Sequence, residues 1–278
     1  MNASNRYNRQ IILPEIGENG QEKLAKAKVL VIGAGGLGAV VLPYLAAAGV
    51  GEIGVVDDDV IEISNLQRQV IYKTNAVGKY KADEAKIMLT ELNPSIKINS
   101  FTEKLSGNNA IQLFENYDII VDATDSLVIK YLINDACLIV NKPMVYGSVF
   151  RFEGQVSVFN YQNGPTYKCL FPNENNESAN CNDAGVIGTS VGIIGMFQAN
   201  EVIKIILETG EVLNGKLLVY NVLNNEQQKY DFEKNNDFRI DKIAFEEKYK
   251  TLENTIEEIN SEDALAKIDL EEILFLDV

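Results

Sequence analysis

The sequence predicts an α/β fold: a doubly wound, mostly parallel sheet, followed by antiparallel strands and one long buried helix. Three observations carry that expectation. Short runs of β-branched residues recur through the first half and close on Gly or Asp, with helix-period stretches between them, as in βαβ units. The first of these runs passes directly into a glycine-rich turn and then an apolar helix. From Glu153 onward the runs instead alternate apolar with polar residues, as strands with one solvated face do.

Taken in order, KVLVIGAGG (Lys28–Gly36), EIGVVDDD (Glu52–Asp59), IKINSF (Ile96–Phe101), YDIIVDATD (Tyr117–Asp125) and KPMVYGSV (Lys142–Val149) read as buried strands. Between them KYKADEAKIMLTELNP and LVIKYLINDACLIVN carry helical spacing. Pro43 falls inside the helix after the glycine turn and is expected to kink it, because it lacks an N–H and crowds the preceding turn. EGQVSVFN (Glu153–Asn160) and GKLLVYNVLN (Gly215–Asn224) read as strands exposed on one side. The polar loop between them, YQNGPTYKCLFPNENNESANCNDAG, is too long to be a mere connection. Val186–Gly210 is apolar almost all round, a buried helix with Gly210 as its expected C-cap.

Composition narrows the chemistry. The hydrophobic fraction, 46%, is that of a globular protein, and no apolar run reaches the ~20 residues that span a bilayer. The N-terminal MNASNRYNRQ is polar, without the apolar core of a secretory signal. Cys137, Cys169 and Cys181 form no C-x-x-C pair, which fits a reducing cytoplasm rather than a disulfide framework. The chain has no histidine, which excludes Ser–His and Cys–His dyads, His-ligated metals and imidazole acid–base steps. Net charge is −15, and from Asp231 to the end fifteen Asp and Glu stand against six Lys and Arg, so no basic surface suggests nucleic acid.

Gly33, Gly35 and Gly38 form G-x-G-x-x-G between strand and helix, the Rossmann-like arrangement in which backbone N–H groups meet a phosphate. Asp57 follows Gly38 by 19 residues, where a carboxylate accepts bonds from ribose hydroxyls. Alone, the pattern fits NAD, ATP or a packing turn without ligand. Arg68 and Lys81 discriminate, since ATP carries about four negative charges and its cleavage builds more on the departing pyrophosphate. The plainer reading of the two cations is a solvated helix face. Asp122 and Asp125 in VDATDS close a strand, where a carboxylate beside phosphates holds Mg2+ or caps the next helix.

Together RYNRQIILPEIGENGQEKL, VIGAGGLG, VDDDVIEISNLQRQ, GKYKADEAK, DATDS, CNDAGVIGTSVGIIGMFQANEVIKII and GKLLVYN resemble, in order, the MoeB/ThiF family of adenylating enzymes, relatives of ubiquitin-activating enzymes. The resemblance covers roughly residues 5–230. It implies a homodimer that binds ATP and Mg2+ and adenylates the C-terminal Gly-Gly of a ubiquitin-fold sulfur-carrier protein, in molybdopterin or thiamine biosynthesis. By the same resemblance Gly36 and Asp57 hold the nucleotide, while Ser64, Asn65, Leu66, Gln67 and Arg68 lie along the phosphates with Lys81. Asp125 resembles the metal-side aspartate, and Arg9 the arginine that reaches across the dimer. Cys181 stands where some members carry a cysteine that bonds covalently to the carrier. A terminal carboxylate has a pKa near ~3.5 and arrives ionised, so its attack on phosphorus needs alignment and charge neutralisation but no general base. A chain without histidine can do this.

The sequence also departs from the family. Thr166 in TYKC replaces the first of four zinc cysteines and DFEKNNDFRID has none, so no structural zinc is expected and Cys169 reads as a leftover ligand. Ser126 replaces an asparagine, and Lys130 an arginine, which weakens a bidentate phosphate contact there. Cys181 is either a thiol of lowered pKa before a helix N-terminus or an inert loop thiol, and Cys137 reads as core. Residues 1–230 are expected to form the adenylating domain and 231–260 an acidic linker; 261–278 resemble the opening of a rhodanese-like domain that continues past Val278. Two other functions compete. An NAD-dependent oxidoreductase would need an acid–base group that the missing histidine cannot supply. A non-enzymatic partner subunit would be expected to lose Arg9, Arg68, Lys81 or Asp125, and all four are present.

Overall fold

The computed structural model of the protein describes residues 6–174 and 185–253. Helices α1 (Asn8–Ile11) and α2 (Gly17–Lys26) lead into β1 (Lys28–Ile32), α3 (Gly38–Ala48), β2 (Glu52–Val56), α4 (Lys81–Leu92), β3 (Lys97–Phe101), α5 (Ala110–Glu115), β4 (Ile119–Asp122), α6 (Leu127–Val140) and β5 (Met144–Phe150). Then come β6 (Glu153–Phe159), α7 (Tyr167–Leu170), α8 (Gly188–Leu207), β7 (Lys216–Asn221), β8 (Glu226–Asp231) and α9 (Lys242–Glu253). One sheet runs in the order β3-β2-β1-β4-β5-β6-β7-β8. Pairing is parallel from β3 to β5 and antiparallel from β5 to β8, the expected fold class.

The period of two in β1 explains why it is buried on both faces. Val29 and Val31 join Val41, Leu42 and Leu45 of α3 in one core layer, while Leu30 and Ile32 join Phe114 and Ile133 in the other. Pro43 lies within the continuous span of α3. The β6 strand buries both faces toward its end rather than one, because α8 covers Val156 and Val158 while Tyr146 and Tyr167 pack on Phe159.

By length and mean hydropathy (1.4) α8 would suit a membrane span, but half of its residues are buried against the protein. Two of its inward polar side chains are tied to the protein: Gln198 Nε2 donates to the Asp122 carbonyl (2.7 Å), and Glu201 accepts from the Leu213 N–H (2.9 Å), while Ser190 Oγ and Gln198 Oε1 are buried without a partner. The helix ends two residues earlier than expected. Its C-cap is Glu208, left-handed at φ 54°, with Gly210 two residues beyond, and the Glu208 carboxylate is paired with Lys23 of α2.

Within the stretch read as a linker, α9 seals one side of the sheet, with Phe245 and Tyr249 fully enclosed beside Leu105. Beneath it the buried Asp135 accepts from Lys168 (2.9 Å), Lys248 (3.2 Å) and the Tyr249 hydroxyl (2.8 Å). Glu174 takes the same two cations at 2.8 and 2.6 Å, which closes a ring of alternating charge. Residues 261–278 lie outside the described residues. Cys137 is core, and burial pushes its thiol pKa up.

Candidate active site

The glycine turn links the C-terminal end of β1 to α3. Gly33 is left-handed (φ 94°), and a Cβ there would stand 2.8 Å from the Ala123 carbonyl oxygen. A Cβ on Gly38 would overlap the Gly33 carbonyl, so both positions need glycine for backbone and packing. Asp57 is tied to this turn: its Oδ2 accepts from the Ala34 N–H (2.7 Å) and its Oδ1 from the Asp59 N–H (3.0 Å). Desolvation raises the Asp57 pKa, partly offset by the Ala34 N–H and by Lys81. A carboxylate has about four acceptor sites, so two remain for ribose hydroxyls.

The loop after Asp57 is braced by its own polar groups. Asn65, on a 3-10 turn at Ile63–Asn65, accepts from the Glu62 N–H (3.0 Å), and the Ser64 hydroxyl donates to Glu62 (3.1 Å). Leu66 packs on the core, Gln67 is exposed, and the half-buried Arg68 donates to the Ser64 carbonyl (3.2 Å). Arg68 lies against Gly36: its Cδ is 3.7 Å from where a Gly36 Cβ would stand, and Val191 of α8 closes in from the other side at 2.8 Å. The N-terminus of α8 also abuts this loop, since a Cβ on Gly188 would sit 2.6 Å from the Gln67 carbonyl oxygen.

Lys81 opens α4 with its side chain 7% exposed, and its ammonium meets the carboxylate of Asp59 at 2.6 Å. The buried Tyr72 hydroxyl shares its one proton between the Ala34 carbonyl (2.8 Å) and the Lys81 carbonyl (3.2 Å). Turn and lysine are thus held within reach of a single hydroxyl. Gly33–Gly38, Asp57, Arg68 and Lys81 are brought together, with Gly35 next to the amide of buried Gln69, whose Oε1 has no partner.

The acidic pair at the end of β4 separates. Asp122 is fully buried, pairs with Lys130 (2.8 Å) and accepts from the Thr124 hydroxyl (2.8 Å), so it is no metal ligand. Lys130 also donates to the Thr124 and Gly147 carbonyls (2.8 and 3.1 Å), so its three ammonium protons are all taken up inside the protein and the side chain acts as a strut. The cap of α6 is Ser126, which accepts from the Ile129 N–H (3.4 Å), and Asp125 is exposed beside it.

Arg9 is not at this site in its own chain. Tyr7, two residues earlier, packs on Gly49 at the far end of α3, and an 11-residue helix separates that end from the turn by about 16 Å. Arg9 itself is exposed. Cys181 lies outside the described residues. Cys169, read from sequence as a leftover zinc ligand, has its Sγ accepting from the Thr166 and Asn235 N–H groups (3.3 Å each). An open groove of about 610 Å3 runs along edge strand β3, but its cations Lys28 and Lys97 already face Glu52 (3.8 and 2.8 Å), and no glycine turn borders it. Asp59 and Tyr72 escaped the sequence reading. The period of two in the extended DDD segment, which sets Asp57 and Asp59 on one side, was the available signal for Asp59.

A family model described as the ThiF family matches residues 7–240. A Porphyra purpurea protein named "Probable molybdopterin-synthase adenylyltransferase" is 48% identical over 228 residues, 81% of this chain and 60% of that protein. The "Adenylyltransferase and sulfurtransferase MOCS3" of Culex quinquefasciatus is 50% identical over 77% of this chain, which spans half of that relative's length. The Thermus thermophilus "Sulfur carrier protein adenylyltransferase" is 44% identical over 83% of this chain and 88% of its own. Among solved structures, E. coli MccB with ATP superposes with a TM-score of 0.73 at 25% identity, over 84% of this chain and 73% of that one. Agreement of the family model with relatives at nearly half identity over four-fifths of the sequence is decisive: this chain belongs to the ThiF family.

Proposed function

We propose that the chain adenylates the C-terminal glycine of a ubiquitin-fold sulfur-carrier protein, using ATP with Mg2+, in molybdopterin or thiamine biosynthesis. The observation that carries this reading is the convergence of Arg68 and Lys81 on the glycine turn, in a chain whose 44–50% identical relatives are named adenylyltransferases. In the reaction a carrier carboxylate oxygen bonds to the α-phosphorus while the bond from that phosphorus to the β-phosphate oxygen breaks, and pyrophosphate leaves. The backbone N–H groups from Gly35 to Gly38 face the phosphates, Asp57 takes the ribose, and Arg68 and Lys81 neutralise charge that grows on the leaving group. The carboxylate is already ionised, so no proton has to be moved.

Asp125 is an exposed carboxylate at the strand ends that suits Mg2+. Among the described residues no group of three acidic or sulfur ligands could hold an ion alone, so the triphosphate would supply the remaining oxygens. The placement of Arg9 at the far end of α3 supports a homodimer in which it completes the partner's site. A peptide acceptor is a second reading, but the MccB likeness is 25% in sequence against 44% for the protein named as acting on a sulfur carrier.

The test is exchange of labelled pyrophosphate into ATP. Exchange should require a ubiquitin-fold carrier ending in Gly-Gly and fall in Lys81→Ala and Arg9→Ala, and mixing these two variants should restore part of it through hybrid dimers. Cys181→Ser should leave exchange intact, because adenylation forms no bond to sulfur. Tight ATP binding without exchange on any such carrier would overturn the reading and favour a non-enzymatic partner subunit.

A further inference from the structure

We propose that Asp59 is a positioning residue for the proposed adenylation, holding Lys81 at a fixed offset from the glycine turn. The inference deepens the reading above and rests on it. Asp59 grips Lys81 at two points: its carbonyl accepts from the Lys81 N–H (2.9 Å) and its carboxylate from the ammonium (2.6 Å). Asp59 is itself fixed, because its N–H donates to Asp57, whose other oxygen holds the Ala34 N–H in the turn. Tyr72 closes the circuit from the other side, through the carbonyls of Ala34 and Lys81. A continuous ring of hydrogen bonds therefore runs from the turn through Asp57 and Asp59 to Lys81 and back.

Stability alone does not account for this arrangement. Asp59 is 67% exposed, and an ion pair with so solvated a partner contributes little to folding. Lys81 is nevertheless enclosed, which restricts its rotamers and commits one of three ammonium protons to Asp59. The other two are left for an anion. A cation preset in this way need not be ordered when charge develops on the leaving group, so the benefit falls in the transition state rather than in ATP binding. In the empty protein Asp59 also neutralises Lys81, so its loss should not weaken the attraction of ATP.

The experiment measures carrier-dependent pyrophosphate exchange for the full chain, Asp59→Ala, Asp59→Asn, Lys81→Ala and the double variant Asp59→Ala/Lys81→Ala, with melting temperatures beside each. Asp59→Ala should lower kcat about tenfold with no rise in the KM for ATP, the signature of an interaction realised in the transition state. Asp59→Asn, which keeps an acceptor for the ammonium, should recover most of kcat. The double variant should be no slower than Lys81→Ala, since Asp59 acts through Lys81. An unchanged kcat in Asp59→Ala, a KM effect alone, an Asn variant as slow as Ala, or additive losses in the double variant would each overturn the inference. Absence of exchange in the unaltered chain would instead overturn adenylation itself, so the two failures are distinguishable.

Discussion

At the glycine turn two cations, Arg68 and Lys81, have between them one main-chain carbonyl and one exposed carboxylate, whereas beneath α9 two cations and two carboxylates close on each other. Both clusters are dense in charge, and their difference lies in what is left over. In the ring of Asp135, Lys168, Glu174 and Lys248 each group meets two opposite charges, and Tyr249 adds a further bond to Asp135. Such a cluster is self-sufficient and clamps α9, α7 and α6 together. At the turn Arg68 and Lys81 keep donors that their carbonyl and carboxylate partners do not use, and the proposed binding of a polyanion rests on that surplus. Partner counting thus separates struts from candidate sites where residue type alone does not: Lys130 and Lys81 are both buried lysines, but the ammonium of Lys130 meets three acceptors and that of Lys81 one.

Breaking the closed side should have the largest effect. Lys130→Ala strands the buried Asp122 carboxylate and should cost about 3–5 kcal/mol in urea unfolding. On the open side, Lys81→Ala should lower pyrophosphate exchange by about a hundredfold while the unfolding midpoint moves little, because its partner Asp59 is solvated. A fall in stability as large as that of Lys130→Ala would erase the distinction. Tyr249→Phe removes one donor from buried Asp135 and should cost about 1–2 kcal/mol, read as faster amide exchange in α9 without loss of pyrophosphate exchange. Burial pulls the Glu174 carboxyl up, but Lys168 and Lys248 outweigh it and hold its pKa below the usual range. The stability it contributes is therefore complete above its unfolded pKa, about 4.3, and lost as pH falls through the depressed folded value. Glu174→Gln should flatten that acid limb and change little at neutral pH, the smallest effect of the four.

Much of the fold was legible because β-branched runs that end in Gly or Asp have few alternatives: each of the five expected parallel-sheet runs marks one strand, with β5 reaching one residue past its run. The turn was legible too, since Gly33 and Gly38 occupy positions where a side chain does not fit. The fate of Asp122 was not. It depends on Lys130, eight residues on, which a turn of loop and the first turn of α6 bring back under β4. The clamp of α9 was hidden by its charge, although Phe245 and Tyr249, four apart, marked a buried face. β8 has no apolar alternation because all six residues are exposed on the sheet edge. The preset of Lys81 by Asp59 joins residues 22 apart and required the fold.

The comparison is tested most directly by amide hydrogen exchange with and without ATP and Mg2+. The account predicts slowed exchange at residues 33–38, 64–69 and 80–82, with α9 and residues 167–171 unchanged. Protection confined to the groove along β3 or to the ring beneath α9, with the glycine turn unaffected, would contradict it.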